Sequence, residues 1–129
     1  MSELQVGILL YPGAEELDWA GPFEVFTMAA MGKEIAVKTI AQSLDPVVCA
    51  KGLRVLPDCD FETAPPLDVI LVPGGEGSRV EMNNSILIEW LAAAAVPCTW
   101  VTSVCTGSIL LVRAGLATGC EITTHWAYV

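Results

Sequence analysis

The sequence predicts an α/β domain, a three-layer sandwich whose mostly parallel sheet carries helices on both faces, with residues 1–129 forming one domain. Three observations carry that expectation. Short apolar, β-rich runs alternate with helix-patterned stretches. Proline or glycine punctuates nearly every run. No repeat, linker or low-complexity segment interrupts the 129 residues, a length that suits one core. Right-handed crossovers between parallel strands then leave the helices outside the sheet.

Each element follows in order. Val6 to Tyr11 is an apolar run closed by Pro12-Gly13, and a helical pattern with Leu17, Trp19, Phe23, Val25, Phe26 and Met28 follows until Gly32 stops it. Ile35 to Ile40 is a second strand. Val47 to Leu56 reads as a hairpin turned near Lys51-Gly52 and ended by Pro57. Val69 to Val72 is a short strand punctuated by Pro73-Gly74-Gly75. Ser85 to Val96 carries a helix pattern through Ile86, Leu87, Trp90 and Leu91, and Pro97 closes it. Cys98 to Val104 is a further strand, Gly107 to Ala114 a helix capped by Gly115, and Glu121 to Thr124 the start of one more strand.

Composition narrows the classes of function. Trp90 to Val112 holds no charged residue and is long enough to cross a bilayer, but Pro97, Thr99, Thr102, Ser103, Thr106, Gly107 and Ser108 interrupt it. A strand covered on both faces accounts for such a run, so no membrane association is expected. A formal charge of −9 with only 6 Lys and Arg argues against nucleic acid, whose phosphates require clustered cations. The first residues run into an apolar strand without a basic start, a signal-type apolar region or a cleavage site, so the cytoplasm is the expected location. Cys49, Cys59, Cys98, Cys105 and Cys120 form an odd set with no CxxC pair, alongside a single histidine. Neither a disulfide framework nor a zinc site is expected, and most of the five read as small buried hydrophobes.

In a parallel sheet the loops after the strands gather on one edge, where ligands bind. Four such loops hold most of the chemistry: Pro12 to Asp18, Pro73 to Ser78, Val104 to Gly107, and the segment around His125. Ser103-Val104-Cys105-Thr106-Gly107 places small residues two positions before and after the cysteine, the steric requirement of a nucleophile elbow. A thiol there faces the positive end of the following helix, which favours the reactive thiolate. A cysteine merely buried beside a strand is the plainer alternative. Gly74 and Gly75 let backbone N–H groups approach a ligand, and the N–H groups of Gly75 and Thr106 together would form an oxyanion hole, although Gly-Gly also makes ordinary turns. Glu15, Glu16 and Asp18 follow the first strand; one could exchange protons with the cysteine, or all three could simply offset the helix dipole. Asp58, Asp60 and Glu62 lack metal-loop spacing and read as a solvated face. His125 is either a partner for the cysteine or a packing histidine beside Trp126.

Taken together, four segments resemble the ThiJ/PfpI superfamily, the class I glutamine amidotransferase-like proteins, and within it the isonitrile hydratase subgroup. They are Gly-Ala-Glu-Glu-Leu-Asp-Trp-Ala-Gly-Pro (13–22), Pro-Leu-Asp-Val-Ile-Leu-Val-Pro-Gly-Gly (66–75), Val-Thr-Ser-Val-Cys-Thr-Gly-Ser (101–108) and Thr-Thr-His-Trp-Ala-Tyr (123–128), in the family's order and spanning nearly the whole chain. The resemblance implies a flavodoxin-like sandwich and a homodimer. It implies Cys105 as nucleophile, Asp18 rather than Glu15 or Glu16 as its acidic partner, and Thr106 as a residue shaping the site. For that subgroup the thiolate attacks the isonitrile carbon and water releases an N-substituted formamide, with no metal or organic cofactor and a small molecule as the only substrate.

Other members of the superfamily imply other activities. A PfpI-type peptidase carries histidine immediately after the nucleophile, where this chain has Thr106. A glyoxalase or deglycase reading, acting on reactive carbonyls, uses the same cysteine and carboxylate. Transcription regulators carry a similar domain as a ligand sensor ahead of a DNA-binding module. Superfamily domains also continue beyond the His-Trp segment, so the resemblance implies that residues 1–129 hold the first two-thirds of the domain and leave apolar faces uncovered.

Overall fold

The computed structural model describes residues 3–128; residues 1, 2 and 129 of the expected domain lie outside that range. Its centre is a five-stranded parallel sheet formed by β1 (Leu4–Leu9), β2 (Ile35–Ala41), β5 (Cys59–Asp60), β6 (Val69–Val72) and β7 (Trp100–Ser103), in the order β5-β2-β1-β6-β7. β3 (Val47–Val48) and β4 (Arg54–Val55) form a separate antiparallel hairpin. The α/β flavodoxin-like class expected from the alternation of elements is the one the chain adopts.

Register is continuous across the centre: Leu4 to Leu9 pair with Ile35 to Ile40, and Val6, Gly7 and Ile8 pair with Val69, Ile70 and Leu71. The unbroken apolar run Val69–Val72 is buried at every position, as a central strand packed on both faces requires. The chain leaves β1 through α1 (Glu16–Ala29) toward β2, and leaves β6 through α2 (Ser78–Glu81) and α3 (Ser85–Ala95) toward β7 on the opposite side. Right-handed crossovers running in opposite directions put α1 and α3 on opposite faces. They also make the crevice between the ends of β1 and β6 a topological switch point, where such sheets bind ligands.

The helices differ in how well their sequences specify a buried face. In α3, Leu87, Leu91 and Ala95 recur every four residues and are buried, and the Asn84 side chain caps the first turn by accepting from the Ile86 and Leu87 N–H groups. Phe61 stacks on Trp90 with ring centroids 4.4 Å apart. α1 is apolar on several sides: Trp19 is buried, whereas Leu17, Val25 and Met28 are exposed. It ends before Gly32, whose φ of 74° closes the turn. α4 (Gly107–Arg113) packs on β6, β7 and α3.

Two expectations need correction. Glu121 to Thr124 does not form a strand; residues 121–125 are irregular, Glu121, Ile122 and Thr123 are exposed, and a 3-10 turn follows at Trp126–Tyr128. β-rich residues need a partner strand, and none pairs with them among the described residues. β7 is not covered on both faces: it is the sheet edge, half-buried, with Trp100 exposed. The apolar stretch from Trp90 to Val112 is divided among α3, β7 and α4, in the helix, strand and helix the sequence reading places there, and among the described residues no helix is long and apolar enough to cross a membrane. Two short elements, β5 and α2, escaped the sequence reading because two and four residues are too few to show a period.

Candidate active site

Cys105 stands at a sharp turn between β7 and α4, with φ +56°, the only non-glycine residue in the left-handed region among those described. Holding such a conformation costs on the order of 1–3 kcal/mol and needs support from its surroundings. That support is visible. The Val104 N–H donates to the Val72 carbonyl at 3.0 Å, and the Gly107 N–H closes the turn onto the Val104 carbonyl at 2.9 Å. The Cys105 carbonyl accepts from the hydroxyls of Ser108 at 3.3 Å and Thr124 at 3.1 Å. A Cβ at Gly107 would lie 2.1 Å from the Val72 carbonyl oxygen, so only glycine lets α4 begin this close to β6.

The three acidic residues after β1 separate into three roles. Glu15 pairs with the Lys51 ammonium on the hairpin turn. Glu16 accepts from the backbone N–H groups of Lys51 at 2.8 Å and Leu53 at 3.2 Å, which staples the β3–β4 turn to the start of α1. Asp18 lines the same cleft as Cys105, and its Oδ2 accepts from the Gly74 N–H at 3.1 Å. Partial burial pushes the Asp18 carboxyl above its ordinary pKa; the Gly74 N–H pulls it back, the charge of Glu15 adds to the rise, and Cys105 and His125 oppose it. A carboxyl so placed favours holding a proton beside a thiol, the property a proton donor requires.

Tyr11 was not among the expected site residues, yet it supports Asp18 through a single peptide group. Its buried hydroxyl donates to the Pro73 carbonyl, and the N–H of that same peptide, Gly74, is the donor to Asp18. Burial, with the charges of Asp18, Cys105 and Glu81 behind it, pushes the Tyr11 hydroxyl well above its usual range, so it remains a donor. A tyrosine at the end of the first apolar run, just ahead of Pro12-Gly13, was the available signal.

Thr106 is buried and joins two loops. Its hydroxyl accepts from the Gly75 N–H at 3.0 Å and lies 3.0 Å from the Ser78 hydroxyl, which donates to the Gly75 carbonyl at 2.7 Å. The expected pair of oxyanion donors is therefore altered: the N–H of Gly75 is taken by Thr106 and that of Gly74 by Asp18. Only the Thr106 N–H has no acceptor among the described residues. Small residues brought this about, since a Cβ on Gly74 would meet the Thr106 nitrogen at 2.5 Å.

Asp18, Gly75, Cys105 and Thr106 line a cleft of about 330 Å³ together with Glu15, Glu76, Arg79, His125 and Tyr128. His125 accepts from the Ala127 N–H at Nδ1, 3.1 Å, and stacks on Trp126. The ring is engaged with Trp126 and Ala127 and borders the cleft, and among the described residues it makes no hydrogen bond to Cys105. Arg79 lies over the Tyr128 ring at 4.3 Å, and no motif announced it. Burial pushes the thiols of Cys49, Cys59 and Cys98 up, which disfavours their thiolates, and Cys120 is exposed away from the cleft lining. Among the described residues no three His, Cys, Asp or Glu side chains gather to hold a metal. The acids Asp58 and Asp60 are engaged rather than merely solvated: Asp58 binds the Thr39 N–H and hydroxyl, and Asp60 caps the Glu62–Thr63 turn.

A parallel sheet with a strained cysteine turn and a carboxylate at its switch point defines a class of α/β proteins with a cysteine elbow. The chain belongs to the DJ-1/PfpI family, whose model matches residues 4–129. It is 42% identical over 125 residues to the isonitrile hydratase of Pseudomonas putida, covering 97% of this chain and 54% of that protein. It is 32% identical over 125 residues to the HTH-type transcriptional regulator GbdR of Pseudomonas aeruginosa, covering 94% of this chain and 34% of the regulator. The crystal structure of a THiJ/PfpI family protein from Pseudomonas syringae matches with a TM-score of 0.89 at 33% identity, over 98% of this chain and 52% of that one. The chain thus spans about half the length of the hydratase and of the Pseudomonas syringae protein.

Proposed function

We propose that this chain carries the chemistry of an isonitrile hydratase, with Cys105 as nucleophile and Asp18 as its proton donor and acceptor. The observation that supports the reading most is the cleft that Cys105, strained at φ +56°, and Asp18, its carboxyl pushed up by partial burial, line together. The 42% identity to an isonitrile hydratase supports the choice of substrate class.

In this reaction the Cys105 sulfur attacks the terminal carbon of the isonitrile, and that carbon receives a proton through Asp18, giving a thioimidate. Asp18, again a carboxylate, takes a proton from water as the water oxygen adds to the same carbon and passes it on to the nitrogen. The carbon–sulfur bond then breaks, the thiol recovers its proton, and an N-substituted formamide leaves. The free Thr106 N–H is the donor available to charge on the incoming oxygen.

The test compares formamide formed from a simple alkyl isonitrile by the chain and by Cys105→Ala. Loss of the nucleophile is expected to lower turnover by about 10³-fold or more. Equal rates would remove Cys105 from the mechanism. The identity to a transcriptional regulator supports a second reading, a ligand-sensing domain. That reading predicts saturable ligand binding without turnover, retained in Cys105→Ala.

A further inference from the structure

Ser78 opens α2 and does not border the Cys105 cleft, yet its hydroxyl reaches both the loop after β6 and the cysteine elbow. A hydroxyl holds one proton. That of Ser78 goes to the Gly75 carbonyl, the shorter contact at 2.7 Å, so the 3.0 Å contact with Thr106 is a donation from the Thr106 hydroxyl to Ser78 Oγ. The Thr106 oxygen in turn accepts from the Gly75 N–H at 3.0 Å. Ser78, Thr106 and the Gly75 peptide therefore close a ring of three hydrogen bonds, with Ser78 0% and Thr106 3% exposed. The Thr106 side chain has no proton left for a substrate. Its backbone N–H, which has no acceptor among the described residues, is left for that task.

We propose that Ser78 is a positioning residue for the Cys105 site. By taking the Thr106 proton it holds the Thr106 oxygen on the Gly75 N–H, and so fixes the loop after β6 against the elbow. Without Ser78, the acceptor left to that proton is the Gly75 carbonyl at 3.4 Å, longer than a good O–H···O bond. The hydroxyl then turns, and Gly75 loses a fixed acceptor. Donors to developing charge act by being held in place beforehand, so a slack elbow lowers the rate of the chemical step more than substrate binding. This catalytic consequence rests on the hydratase reading; the ring itself does not.

The test measures isonitrile turnover by the whole chain, by Ser78→Ala, by Thr106→Val and by the double variant, together with amide hydrogen exchange at Gly75. Ser78→Ala is expected to lower kcat about tenfold with KM within about twofold. In the Thr106→Val background the same change is expected to do nothing further, because no hydroxyl remains to be oriented. Ser78→Cys, similar in size but a weaker hydrogen-bonding group, should fall between. Gly75 exchange in Ser78→Ala should quicken at least about tenfold while Ile70 and Leu71 in β6 keep the rates of the unaltered chain. Thermal melts show which variants are folded, and Ser78→Cys carries the comparisons if Ser78→Ala is not. An unaltered chain without turnover defeats the hydratase reading, and Gly75 exchange then decides the positioning role by itself. Unchanged kcat in an active chain, additive losses in the double variant, or unchanged Gly75 exchange would each overturn the proposal.

Discussion

Asp18 shows how a single residue sets function against stability. Burial raises its folded pKa above the unfolded value, so folding favours the protonated acid. That contribution is fully present below the unfolded pKa and is lost as pH rises through the folded one. At neutral pH the ionised carboxylate is therefore a liability to the fold. Asp18→Asn is expected to melt at a higher temperature than the parent near pH 7, with the gap closing toward about pH 3 where both side chains are neutral. Its isonitrile turnover should fall by about 10²–10⁴-fold. A lower melting temperature at pH 7 would contradict the linkage. Tyr11→Phe removes the donor to the buried Pro73 carbonyl and loosens the peptide that holds Asp18. Leaving that carbonyl unpaired costs about 1–3 kcal/mol, read as a lower melting temperature, and should shift the pH dependence of Cys105 alkylation. Alkylation that follows the parent curve would show that the peptide is held by other means. Which of Glu15, Glu16 and Asp18 is left to serve the Cys105 cleft was not legible from residue type, since all three are carboxylates within one helical turn; the hairpin claims the first two.

At the scale of elements, the reading worked where the signal was long or its punctuation steric. The Val69–Val72 run and the Leu87, Leu91, Ala95 spacing each name one element, because burial on two faces or on one helical stripe leaves a periodic trace. The elbow was legible for a different reason: a sharp strand-to-helix turn admits only small residues at set positions. Gly107→Ala tests that argument. Its Cβ would press on the backbone oxygen of Val72, which cannot rotate away, so the substitution is expected to cost upward of about 3 kcal/mol in urea unfolding. A cost below about 1 kcal/mol would mean that the β6–α4 junction yields more readily than its packing implies. Glu121 to Thr124 failed as a strand because β propensity describes fit to a partnered surface, and that segment has no partner among the described residues.

For the whole molecule, the open edge of the sheet governs behaviour. Among the described residues no strand pairs with the outer side of β7, Trp100 is 65% exposed on it, and Val112 and Ile122 border an apolar cleft of about 440 Å³. Exposed edge strands and apolar patches of this kind drive association. Sedimentation velocity is expected to show concentration-dependent self-association, reduced several-fold by Trp100→Lys; a monomer unchanged across the concentration range would contradict this. Sequence alone determined the order of the principal elements, the positions of their turns and the cysteine that occupies the elbow, because periodicity, proline and glycine act over a few residues. Only the tertiary structure decided that Tyr11 supports Asp18 through the Pro73–Gly74 peptide, that the Gly75 N–H is already taken by Thr106, and that β7 lies at the edge. Those outcomes depend on strand order, which brings together groups far apart in the chain and leaves no local trace in any of them.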